Sequence, residues 1–178
     1  MGKRSVVARA FLAGINIIFI FIIFLTGRHG SAHASVQRIS VMPGIPITAE
    51  SALLVESTSG KILFEKNPDK SLPPASITKI MTMLLVMEEI DKGKADLNDM
   101  VVTSERAMSM GGSQIWLEVG EEMSLENLMK SIAIVSANDA SVAVAEHIAG
   151  SEEAFVDMMN RRGRELGMTG TNFVNSSG

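Results

Sequence analysis

One stretch, SLPPASITKIMTMLLVMEEI at residues 71–90, narrows the choice of fold more than any other. Pro73 and Pro74 end whatever precedes them, because proline is accepted at the start of a helix and not inside one. Beyond them Ile77, Ile80, Met81, Met83, Leu84, Leu85, Val86 and Met87 cover most of a helical surface. A helix apolar nearly all round is a buried one. The chain is therefore expected to build its core around a helix from about Pro74 to Ile90, stopped at DKGK by Gly93. The polar residues Ser76, Lys79 and Thr82 share a single stripe of that helix.

Ser76 has two readings. A serine directly after Pro-Pro is well placed to cap the loose N–H groups of a helix start. Lys79 fits a cap badly, since three residues on the helix favours Glu or Gln, and its positive pole disfavours a cation. A nucleophile with its base accounts for both residues. A serine hydroxyl is a weak nucleophile and needs a neighbour to take its proton. A lysine can do so only when neutral, and burial, a second cation nearby and the helix pole all push its pKa down. The i, i+3 spacing brings amine and hydroxyl within reach. The same pole would stabilise negative charge developing on the serine or on an attacked carbonyl.

Composition removes most competing designs. The sequence has no cysteine and no tyrosine, so it offers no disulfide, thiol nucleophile or cysteine-bound metal. Its three histidines are His29, His33 and His147. No G-x-S-x-G elbow, Walker loop or dinucleotide fingerprint occurs; GGSQI at 111–115 lacks the second glycine of an elbow. Residues 1–34 have the anatomy of a secretory signal: a basic head (Lys3, Arg4, Arg9), the apolar run FLAGINIIFIFIIFL, and Ala32-x-Ala34 before the cleavage point. The alternative is a retained anchor, for which the run falls short of the ~20 apolar residues a spanning helix needs. Either way the remainder is exported. This leader takes four of the 16 Lys and Arg and none of the 20 Asp and Glu, leaving residues 35–178 with a formal charge of −8. So acidic a domain lacks the basic face that nucleic acid requires. His147, the one histidine left, reads as an ordinary member of an amphipathic helix, and the 13 methionines as core filling.

Along the mature part, SALLVES (51–57) and KILFEK (61–66) around TSG read as a β-hairpin, and MVVTS (100–104) as a further strand. MGGSQIWLEVGEEM (110–123) reads as loop and carries the only tryptophan, Trp116. Leu125, Leu128, Met129 and Ile132 share a helical face. SAND (136–139) interrupts as a turn, with Asn138 or Asp139 capping the helix Ala140 to Ala149. A last helix, 151–166, opens with Ser151 as N-cap and ends at Gly167. A lone hairpin is marginal in water, so the domain looks unfinished.

A Ser-x-x-Lys match arises by chance about once in a chain this long. Order and context add more. PPASITK followed sixty residues later by SAND, between helices, resembles the D-alanyl-D-alanine carboxypeptidases, the low-molecular-mass penicillin-binding serine peptidases. The resemblance runs over residues 45–178 and takes in SALLVESTSGKILFEKNPDK, the block from GGSQIWLEVGEEM to AEHIAG, and TNFVNSSG. Class A β-lactamases share Ser-x-x-Lys but match these blocks less well. The resemblance implies an α+β fold of the penicillin-binding-protein/β-lactamase-like transpeptidase kind, a sheet flanked by helices. It implies Ser76 as the nucleophile that forms an acyl-enzyme and Lys79 as general base. Ser136 would relay a proton to the leaving group, and Asn138 would bind the substrate's peptide bond. The substrate would be peptidoglycan stem peptides ending in D-Ala-D-Ala and the inhibitors β-lactams, with no cofactor and no metal. Members often carry a membrane-attaching segment at their far end. Two departures stand out. The family's Lys-Thr-Gly or Lys-Ser-Gly triplet is absent, and Ser176 stands where the family usually has proline. Residues 35–178 are accordingly expected to be the N-terminal part of a catalytic domain, cut before the later strands and with little or no activity alone. A non-catalytic wall-peptide-binding module and a β-lactamase or penicillin sensor are the rival expectations.

Overall fold

The structure, a computed structural model, describes residues 46–178. The leader at 1–34 lies outside the described residues. The chain divides into two units, Met1–Lys66 and Asn67–Gly178.

In the first unit the expected hairpin is present: β1 (Ala52–Val55) pairs antiparallel with β2 (Ile62–Lys66), Ala52 opposite Lys66 and Leu54 opposite Phe64, with a bulge between Leu54 and Val55. Glu56 organises its turn by accepting the backbone N–H groups of Thr58 and Ser59 and the Ser59 hydroxyl. Gly60, at φ 70°, supplies the left-handed step that brings the chain back.

The second unit begins, after the Pro-Pro loop, with a 3-10 turn (Ala75–Thr78) that runs into α1 (Lys79–Asp91). Then come β3 (Met100–Val102), a one-turn α2 (Glu105–Met108), β4 (Glu122–Ser124), α3 (Leu125–Val135), α4 (Asn138–Ala149) and α5 (Glu152–Glu165). β3 and β4 form an antiparallel pair, Val101 opposite Met123. α4 is the hub: Ala140, Val142, Ala143, Val144 and Ala145 are all buried. Its small side chains let α1, α3 and α5 pack closely around it. One apolar cluster joins Val86 of α1 to Val101, Leu117, Leu125, Leu128 and Ile132. A second joins Met81 and Leu85 to Phe155, Met159 and Phe173.

Helix boundaries follow the capping chemistry. Ser104, Ser124 and Ser151 each accept a backbone N–H three residues on, at the starts of α2, α3 and α5. In α5 the N-terminal acids Glu152 and Glu153 and the C-terminal Arg162 and Arg164 complement the helix dipole.

Several expectations are corrected. The segment from Pro74 is not one α-helix, because its first turn is 3-10. Nor is the segment buried all round: Ile77 of the 3-10 turn and Ile80 of α1 are 67% and 64% exposed, and Leu84 and Met87 share that open flank. Hydrophobicity marks the faces able to be buried, and among the described residues the neighbours of α1 cover only one side. α4 starts at Asn138, two residues early. β4 and α2, in stretches where the sequence suggested no regular element, are three and four residues long and too short to show a period. Among the described residues, no helix is long and apolar enough to cross a membrane.

Candidate active site

The site forms where the 3-10 turn, the start of α4 and the last residues of the chain meet. Ser76 lies exposed in the turn, and Lys79 opens α1 one turn later. Neither the turn nor α1 has a side-chain cap, so the capping reading of Ser76 falls. Lys79 is 2% exposed. Its Nζ lies 3.1 Å from Ser76 Oγ, 2.7 Å from Asn138 Oδ1 and 3.0 Å from the Ser177 carbonyl oxygen. All three partners are uncharged. Burial pushes the Lys79 amine below its ordinary pKa of 10.5, with no contribution from a second cation.

That environment suits a base. A neutral amine has two N–H groups and one lone pair. In the neutral form, donation to the two carbonyl-type oxygens, of Asn138 and Ser177, would use both hydrogens and leave the lone pair facing the Ser76 hydroxyl. Serine would then be the donor, which is the arrangement proton removal requires.

Asn138 is fixed from three sides. Its Nδ2 donates to the Gly111 carbonyl at 2.7 Å, its backbone N–H to the Ser113 carbonyl at 2.7 Å, and its Oδ1 accepts from Lys79. A Cβ on Gly112, at φ 81°, would lie 2.8 Å from Asn138 Nδ2, so this close approach needs glycine. Asp139 does not cap α4, whose N-cap is Ala137 without a side-chain bond. The buried carboxylate instead accepts the N–H groups of Ile115 (3.1 Å), Leu117 (3.2 Å) and Ala140 (2.8 Å), tying the 111–117 loop to the helix. Trp116, between the two anchored N–H groups, sits at φ 63° and is 79% exposed.

Ser136 ends α3 in the left-handed region, at φ 58°. Its Oγ is buried without a hydrogen-bond partner. The structure thus joins Ser76, Lys79 and Asn138 directly, while the Ser136 hydroxyl stays unpaired. Among the described residues, non-glycine positive φ angles occur at Asn67, Ala75, Trp116 and Ser136, and the last three flank the site. Such conformations cost about 1–3 kcal/mol each and gather where geometry serves function.

The residues of 175–178 contribute in a way the sequence did not signal. Thr82 Oγ1 donates to the Ser176 carbonyl at 2.6 Å, and Lys79 to that of Ser177. Gly178, at φ 93°, lies so close that a Cβ would fall 2.0 Å from the Ala75 carbonyl oxygen. Backbone carbonyls carry no side-chain signature, although Thr82 already lay on the stripe of Ser76 and Lys79.

The fold matches crystal structures of penicillin-binding proteins. Penicillin-binding protein 5 from Haemophilus influenzae has a TM-score of 0.73 at 36% identity, over 77% of this chain and 41% of that one. Penicillin-binding protein D2 from Listeria monocytogenes, in its ampicillin-bound form, has a TM-score of 0.68 at 27% identity, over 77% of this chain and 55% of that one. The α+β penicillin-binding-protein fold expected from the sequence is the one present.

Within that class, the D-alanyl-D-alanine carboxypeptidase family model matches residues 36–178, and the chain belongs to that family. D-alanyl-D-alanine carboxypeptidase DacF of Bacillus subtilis (strain 168) is 58% identical over 130 residues, 73% of this chain. The match spans 33% of DacF, so the chain corresponds to about a third of that relative's length.

Proposed function

We propose that the full-length protein is an exported serine-type D-Ala-D-Ala carboxypeptidase that removes the terminal D-alanine from peptidoglycan stem peptides. The observation that carries the proposal is the Lys79 amine, buried, 3.1 Å from Ser76 Oγ and bound otherwise only to carbonyl-type oxygens. Family membership supports the substrate class. The ampicillin-bound Listeria relative supports β-lactams as inhibitors that take the substrate's place. The secretory anatomy of residues 1–34 supports action outside the cytoplasm.

In this mechanism Lys79 accepts the Ser76 proton as Oγ attacks the carbonyl carbon of the penultimate D-alanine. The C–N bond to the terminal D-alanine breaks, and the leaving amine receives the proton held by Lys79 by way of Ser136, the relay role that the family resemblance implies. The Asn138 amide holds the substrate's peptide bond. Water then releases the acyl group from Ser76, with Lys79 again as base.

The test is covalent labelling of the full-length protein by fluorescent penicillin, followed by turnover of a D-Ala-D-Ala peptide. A label that disappears in Ser76→Ala, with release of D-alanine, is the expected result. An unlabelled, folded protein would indicate a wall-peptide-binding module. Label with turnover of penicillin but not of the peptide would indicate a β-lactamase or sensor.

A further inference from the structure

Glu152, at the first position of α5, is 6% exposed, and the mechanism above gives it no task. Its two carboxylate oxygens do different things. Oε1 accepts both the backbone N–H of Ser176, at 3.1 Å, and the Ser176 hydroxyl, at 2.8 Å. Oε2 accepts from the Arg106 guanidinium, at 2.9 Å and 3.3 Å. Burial alone would raise the Glu152 pKa, but the Ser176 N–H and hydroxyl together with Arg106 outweigh it and hold the carboxyl below its usual range. It therefore stays ionised, with acceptor capacity on both sides. Ser176 is wholly buried, and its own carbonyl is held by Thr82. One residue further on, the Ser177 carbonyl meets Lys79.

The geometry points to Glu152 as a positioning residue for the acylation step: through Ser176 it fixes the Ser177 carbonyl on Lys79 Nζ, and so aims the lysine lone pair at Ser76. This rests on the reading of Lys79 as general base. Without the Ser177 acceptor, one amine hydrogen has no fixed partner, and the lone pair is free to rotate away from the hydroxyl. Arg106 holds the far side of the carboxylate, so the chain Arg106–Glu152–Ser176 runs from α2 through α5 to the site.

Glutamine cannot replace this carboxylate without loss. One end of an amide is a donor, so it must face either the guanidinium or the backbone N–H of Ser176, both of which can only donate. In Glu152→Gln of the full-length protein, the penicillin acylation rate constant, normalised to the fraction of protein that labels, should fall about 10- to 100-fold, as a small misplacement of reacting groups does. The affinity of the preceding non-covalent complex should stay within about twofold, since no substrate-contacting group has changed. A purely structural defect would instead reduce the labelled fraction and leave the rate constant of the folded molecules intact. Ser176→Ala, which removes one hydrogen bond only, should show a smaller loss, and Ser176→Thr, which keeps the hydroxyl, should restore the rate. Wild-type acylation rates in both Glu152→Gln and Ser176→Ala overturn the assignment. A crystal structure of Glu152→Gln decides it independently of activity: displacement of the Ser177 carbonyl from Lys79 supports it, and an unmoved carbonyl overturns it. If the wild-type protein is not labelled at all, it is the enzymatic reading that fails, and the crystallographic result still decides the positioning role.

Discussion

Replacing Lys79 by methionine tests the central chemistry with little change of shape. The two side chains have similar length, and methionine suits the buried stem position next to Met81 and Thr82. What disappears is the amine and its bonds to Ser76, Asn138 and Ser177. A positioned general base contributes about 10²- to 10⁴-fold to rate, or about 3–5 kcal/mol of barrier at ~1.4 kcal/mol per tenfold. Acylation of full-length Lys79→Met by fluorescent penicillin should slow by that range, followed as label against time. Folding provides an internal control with a definite sign. Because burial lowers the Lys79 pKa in the folded state, the unfolded chain holds one more proton between that lowered value and the ordinary 10.5. In that window the stability of the wild type rises with pH, by up to ~1.4 kcal/mol per pH unit, and below it the full penalty of burying the ammonium remains. Lys79→Met lacks this rise, so the difference between wild-type and variant denaturation midpoints should move in favour of the wild type as pH climbs toward 10.5. A folded Lys79→Met protein that acylates at the wild-type rate refutes the base assignment. Parallel pH–stability curves refute the claim that the amine is driven toward neutrality by burial.

Three further outcomes follow from the packing. Gly112→Ala places a Cβ 2.8 Å from Asn138 Nδ2 at φ 81°; it should cost about 1–3 kcal/mol in denaturant titration and slow penicillin acylation about tenfold or more by displacing the amide. An unchanged acylation rate would remove Asn138 from the mechanism. Phe155→Ala empties the centre of the cluster formed with Met81, Leu85, Met159 and Phe173, and should cost about 3–5 kcal/mol by chemical denaturation; a loss under about 1 kcal/mol would mean that cluster is not packed as described. Glu56 should titrate by NMR with a midpoint of about 2, because the Ser59 hydroxyl and the N–H groups of Thr58 and Ser59 favour its charged form. The turn's stabilisation is then complete above the ordinary value of 4.5 and is lost as pH falls through about 2, and a midpoint near 4.5 would show the turn to be open.

What the sequence determined by itself was chemistry carried over short range. The i, i+3 placement of Ser76 and Lys79 needs only a helical turn to bring hydroxyl and amine together, and that contact formed although the first turn is 3-10. The capping of α5 by Ser151 and the hairpin turn were legible for the same reason: each closes within a few residues. Asn138 was legible as a residue type at a motif position, but not as the partner of Lys79, 59 residues away. The Ser177 carbonyl, 98 residues from Lys79, and Glu152 behind it had no local signature. A backbone oxygen looks alike at every position, and a glutamate in a first turn already has an adequate reason to be there. The exposed flank of α1 shows the same limit, since an apolar pattern states which surfaces can be buried and packing decides which are. Only the tertiary structure, by laying residues 175–178 across the mouth of α1, gave the buried lysine its second carbonyl partner.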